Sequence, residues 1–279
     1  MKWYINVAIL FILLFNCDKQ KDHLNFLISG DLIQSFRYST GSELYLTRLK
    51  SAAGLDSVVL GAESQLDSVY KICTHVHSMW EHNGVNVPTK SDPISIIEEA
   101  KTGRRFRCIE YSTVIQSCLT AIDIPARIVV LMTRDVETVS KWGSHYIVEA
   151  FSRDHNKWFV VDGQWNAIPM LGEVPLNAVE FQDCLIDDVD KLGSYEMSDR
   201  TTQNYFRWIR PSLFYFQYFI DNRINADGKD PQKIMLVPLG AKKPTIFQRQ
   251  WPMENMTYTH SLNSVYQNPV NGFGYGRGE

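Results

Sequence analysis

Cys108, His145 and Asp162 are the side chains of this sequence whose types and order suit covalent chemistry. A thiolate attacks a carbonyl, an imidazole within reach takes its proton, and a carboxylate fixes the imidazole tautomer. A lone cysteine is more often a packing residue, since free Cys is among the most buried residue types. The setting of Cys108 argues otherwise. Tyr111, Val114, Ile115, Cys118, Leu119 and Ile122 recur at three- and four-residue steps and predict a helix that Pro125 must stop. Cys108 then falls in its first turn, where free N–H groups and the helix dipole favour a negative charge. Arg105 and Arg107 precede it and add positive charge.

His145 and Asp162 come from a predicted hairpin. Residues 145–151 and 157–162 read as strands joined by Arg153-Asp154-His155-Asn156. If Ser152 faces Lys157, then Ile147 faces Asp162. The period of two then puts His145 and Asp162 on one face as diagonal neighbours. A slip by one residue would part them. Around this pair, Trp142, Gln164 and Trp165 are candidates for the substrate cleft; for Trp142, packing at a strand entrance is an equal alternative.

The flanking elements follow the same logic. Asp92-Pro93 opens a short helix that Gly103 closes, delivering the chain to Cys108. Residues 127–133 form a strand, and 136–141 a loop across the site. Earlier, Leu66, Val69, Tyr70, Cys73, Val76, His77 and Trp80 form the apolar stripe of a helix expected over 65–82, with Gly84 near its C-cap. His75, His77 and His82 lack the partner Cys or carboxylate pattern of a metal site, so no metal or cofactor is implied. His77 reads as a packed core residue, and His75 and His82 as exposed polar positions.

Two stretches, 105–127 and 143–166, resemble the core of the transglutaminase-like superfamily of cysteine enzymes in its bacterial branch. The family's Gly-Ile-Pro-Ala-Arg segment is matched by residues 123–127, with Asp123 in place of Gly. Tyr146 follows the histidine and Gly163-Gln164-Trp165 the aspartate, where the family commonly has Ala-Trp, and Pro or Thr. The resemblance covers roughly 65–180. It implies an α+β fold with the nucleophile's helix packed on an antiparallel sheet, Cys108 as nucleophile, His145 as base and Asp162 as orienter. The implied chemistry is acyl transfer from peptide or other amide bonds through a thioester. Hydrolysis is preferred to transfer onto an amine. The alternative is a catalytically silent surface lipoprotein that uses the fold to bind peptide or glycan.

The rest of the chain bounds this reading. A length of 279 residues and 44% hydrophobic content suit a globular chain with a real core. The net charge of −3 and the absence of a basic block give no footing for nucleic acid. Residues 1–17 read as a targeting segment: Met1-Lys2, then an apolar run too short to span a bilayer, then Leu14-Phe15-Asn16-Cys17. The last four resemble a bacterial lipobox, with Asn16 departing from the usual small residue. Cys17 is then the lipid attachment site and the protein sits on the extracytoplasmic side of a bacterial envelope. An ordinary signal peptide or a short buried helix is the alternative. Residues 18–64 form a tether and N-terminal extension, and 65–180 the catalytic core. Residues 181–267 form an aromatic-rich, β-rich extension, and 268–279 a flexible tail. Cys73 and Cys118 read as reduced packing residues, and a disulfide among Cys73, Cys118 and Cys184 stays open.

Overall fold

The computed structural model describes residues 23–30, 35–41, 43–224 and 232–269. The expected targeting segment with Cys17 and residues 270–279 of the tail lie outside the described residues.

The N-terminal half is helical. Helix α1 (Leu44–Ala52) buries Leu46 and Leu49. Helix α2 (Gln65–Ser78) is capped by Ser64, whose side chain accepts from the Asp67 N–H, and buries Val69, Ile72, Cys73 and Val76. It stops at Ser78, short of the expected His82, and Gly84 is not its cap. Beyond Met79 the chain turns to bury Trp80, whose ring packs on Phe106 and Tyr111 and whose carbonyl accepts from the Tyr111 hydroxyl at 2.6 Å. Core packing outweighs the local preference to continue the helix, and His82 is released onto a loop. Helix α3 (Pro93–Lys101) has Asp92 as N-cap and Pro93 at its first position, as expected. The chain leaves it through Gly103 at φ +88°, a left-handed turn suited to glycine.

Helix α4 (Cys108–Thr120) is the centre of the molecule. Val114, Ile115, Cys118 and Leu119 on it are fully buried. Each large aliphatic so buried contributes about 1.5–3 kcal/mol. The chain then enters a six-stranded sheet. Its strands are β1 (Ala126–Met132), β2 (Ser144–Ser152), β3 (Lys157–Val161), β4 (Tyr215–Phe219), β5 (Lys233–Leu236) and β6 (Met256–Thr259). The spatial order is β6-β5-β4-β1-β2-β3, antiparallel throughout except for the parallel edge pair β5–β6. Ser152 pairs with Lys157 and Val148 with Val161, the expected register.

Alternation along β2 divides the core into layers. Val148 and Ala150 pack with α1 to α4, while Ile147 joins a second cluster with helices α5 (Ala178–Asp187) and α6 (Asp199–Ile209). The architecture is α+β, with the Cys108 helix packed on an antiparallel sheet. The aromatic stretch 204–224 was expected to be β-rich, and only part of it is. Tyr215–Phe219 is strand β4, but Tyr205, Phe206 and Trp208 lie on helix α6. There Thr202, Tyr205, Phe206 and Ile209 fall at helical spacing and are buried together, and that burial overrides the strand preference of aromatic residues.

The Pro-Ala-Arg end of the 123–127 segment has a structural reason. Arg127 is fully buried, its Nε and Nη2 held by Glu149 Oε2 at 3.1 and 2.7 Å, and its guanidinium lies 4.2 Å from the Trp158 ring centre and 4.4 Å from that of Tyr218. Asp123 sits at φ 61°, where the resembled family has glycine. Asp is among the few side chains that tolerate this region.

Candidate active site

Cys108 is the first residue of α4, half-buried, and opens onto a cleft of about 450 Å³. The neighbouring Arg107 is tied to the helix it precedes. Glu110 accepts from the Arg107 N–H at 3.0 Å and from its guanidinium Nη2 at 2.6 Å. Arg107 lines the cleft beside Cys108, whereas Arg105 turns away to pair with exposed Glu81 at 2.8 Å. The expected help from two arginines reduces to Arg107, whose charge is shared with Glu110.

His145 stands on β2 and Asp162 just past the end of β3, on the same face of the sheet. His145 Nε2 lies 2.8 Å from Asp162 Oδ2, and both side chains are buried. The other carboxylate oxygen accepts from the N–H groups of Gln164 (3.0 Å) and Trp165 (3.3 Å), which fixes its orientation. Burial works against a charge on the imidazole, but the Asp162 carboxylate and the Cys108 side chain together outweigh it and push His145 up to about 10. His145 bonds to Asp162 and lines the same cleft as Cys108.

The approach of α4 to this corner depends on Gly163. A Cβ there would come within 2.4 Å of Ile115 Cδ1 and 3.0 Å of Tyr111 Cβ. Its carbonyl accepts from His77 Nδ1 at 2.9 Å if that nitrogen carries the proton, so the half-buried His77 fastens the turn after Asp162.

Of the cleft candidates, Trp142 and Gln164 line the cavity. Trp142 is 77% exposed, adopts φ 63°, and brings its indole to 3.5 Å from the Cβ position of Gly84 on the facing loop. Trp165 does not line it. It packs behind, 5.3 Å from Trp208 and 5.6 Å from Tyr205. Among the lining residues that the sequence did not point to are His82 and Trp208. His82, exposed as expected, stands at the cleft, where partial desolvation and nearby His145 hold it below its ordinary value. Trp208 of α6 meets the His145 ring edge to face at 4.8 Å. The helical spacing of 199–209 was the signal for Trp208; nothing local marked His82, whose place follows from the early end of α2. The remaining described cysteines have no such setting. Burial raises the Cys118 thiol to about 12 and pushes Cys73 well up, and burial with nearby carboxylates raises Cys184. All four described cysteines are free.

Residues 53–163 match the family model of the Transglutaminase-like superfamily, a span that runs from the end of α1 to Gly163 and holds Cys108, His145 and Asp162. No curated protein matches the chain in sequence. Among solved structures, a candidate cysteine protease from Cytophaga hutchinsonii is similar at 18% identity over 52% of this chain and 47% of its own, with a TM-score of 0.35. The red sea bream transglutaminase is similar at 15% identity over 79% of this chain and 40% of its own, with a TM-score of 0.36. The chain therefore spans less than half the length of these two structures.

Proposed function

We propose that this protein carries out cysteine-dependent acyl chemistry on amide bonds, with hydrolysis as the outcome. The observation that carries the reading is the buried imidazole of His145, held by Asp162 at 2.8 Å and lining the same cleft as Cys108. His145 takes the Cys108 proton, and the sulfur bonds to the carbonyl carbon of the substrate. The resulting oxyanion faces the Cys108 N–H in the first turn of α4, where N–H groups lack intrahelical partners. His145 returns the proton to the leaving amine as the C–N bond breaks, leaving a thioester. Water then attacks the thioester carbon with His145 as base; the C–S bond breaks, the acid departs, and the proton returns from His145 to the Cys108 sulfur, restoring the thiol. Asp162 holds the ring in one tautomer throughout.

Iodoacetamide at mildly acidic pH tests the first step. Cys108 is expected to react before Cys73, Cys118 and Cys184, and His145→Ala is expected to remove that lead. Equal labelling of Cys108 and Cys184 sinks the reading. Adding a fluorescent primary amine to a peptide digest separates the acceptors: free acid supports hydrolysis, and incorporated amine supports transfer.

A further inference from the structure

A second cavity, of about 190 Å³, lies beside the Cys108 cleft and shares Ser144, Tyr146 and Phe247 with it. Its floor is the sheet. Tyr146 pairs with Val130 on β1, and Val130 with Gln217 on β4, so the three side chains form a row on one face. Its roof is the hairpin of Ile246–Phe247 and Trp251–Pro252, with Met253 tied in by its N–H to the Thr245 carbonyl at 2.8 Å.

Gln217 is the unexpected member of this row. It is 6% exposed, sits between Val130 and the fully buried Met235, and lines the cavity. Among the described residues its side-chain amide has no hydrogen-bond partner. A largely buried carboxamide with no protein partner is unfavourable unless an adjoining space supplies one, and an apolar residue at such a position would suit the sheet better. The amide instead lines a cavity that borders the Cys108 cleft across Ser144, Tyr146 and Phe247.

We propose that this cavity is a subsite for a substrate side chain with an unbranched apolar stem and a neutral carboxamide tip. The residue that carries it flanks the bond presented to Cys108. Gln217 offers both a donor and an acceptor, and a carboxamide answers both. Met132 and Met253 give the stem an adaptable, polarisable wall. Half-buried Lys233 also lines the cavity and would favour a carboxylate tip, but its ammonium already points to the Glu254 carbonyl at 3.4 Å. Glutamate is therefore the competing occupant. The inference rests on the proposed thiol chemistry for the nature of the substrate, while the binding it predicts does not require turnover.

The test uses Cys108→Ala protein with ¹⁵N-labelled glutamine side chains. Blocked peptides carry Gln, Glu, Met or Ala two residues to either side of a central amide. The Gln217 amide signal, assigned by its loss in Gln217→Leu, is expected to shift with the Gln peptide and not with Ala. In Gln217→Leu the Gln peptide should bind about tenfold more weakly while the Met peptide holds its affinity, as expected when a buried polar pairing is lost. Met253→Trp, on the more exposed hairpin, should weaken the Gln and Met peptides and spare Ala. Tightest binding of the Glu peptide, equal binding of all four, or an unmoved Gln217 signal at millimolar peptide overturns the inference. In a separate arm, turnover of 4-nitrophenyl acetate by the unmodified protein reads the Cys108 chemistry. Its absence removes the proposed function and leaves the binding result standing.

Discussion

At the scale of the residue, the His145–Asp162 contact has a pH signature. The folded-state value of His145 lies near 10, above the ordinary imidazole value of about 6.5. A group raised on folding adds stability that is complete below about pH 6.5 and is lost as pH rises through its folded value. Asp162→Asn removes the charge that raises the ring and keeps an oxygen for the Gln164 and Trp165 N–H groups. We expect urea melts of the variant to lose the extra stability at pH 6 relative to pH 9, with the fold intact. The alkaline limb of the rate profile should move toward lower pH, and kcat should fall by about 10⁴ if the residue acts as in other triads. A full-rate variant with an unmoved limb would show that another group orients His145. Arg127 gives a second prediction of this kind. Glu149→Gln leaves a fully buried guanidinium without its counter-charge and should cost about 3–5 kcal/mol in chemical denaturation.

At the scale of the element, Cys108 and His145 line one cleft because α4 lies close against the turn after β3. Gly163 sets that distance. In Gly163→Ala the Tyr111 and Ile115 side chains must move, and helix α4 with them. Overpacking of this kind costs about 1–3 kcal/mol. We expect a lower melting temperature together with slower Cys108 alkylation. A drop in stability with unchanged alkylation would mean that the helix N-terminus is held elsewhere. The hairpin register was readable because the polar four-residue loop and the alternation of β2 and β3 agree on one pairing. The end of α2 was not, because burial of Trp80 against Phe106 and Tyr111 decides it. Helix α6 was missed for a related reason: its aromatic residues carry strand preference, while their spacing is helical.

At the scale of the whole molecule, strands β4, β5 and β6, from residues beyond 181, complete the sheet that β1 to β3 begin. The residues outside the Transglutaminase-like match therefore contribute Trp208 against His145 and Gln217 in the neighbouring cavity. We further propose that Cys17 carries a lipid anchor. Expressed in a bacterium, the chain should fractionate with membranes, and Cys17→Ala should release it; firm anchoring takes two acyl chains or a second signal. Unchanged fractionation of Cys17→Ala would point to an uncleaved apolar segment instead.

By itself the sequence determined the helix that starts at Cys108, the hairpin that carries His145, and the register that turns His145 and Asp162 to one face. These follow from local periodicity, caps and loop length, which short stretches of chain encode. Tertiary structure alone decided that His82 lines the cleft, that Trp165 lies behind it and Trp208 against the imidazole, and that Gln217 faces a cavity with no partner. Those placements depend on contacts between residues far apart in the chain, such as Trp80 with Tyr111 or β1 with β4, whose burial outweighs what each stretch would prefer alone.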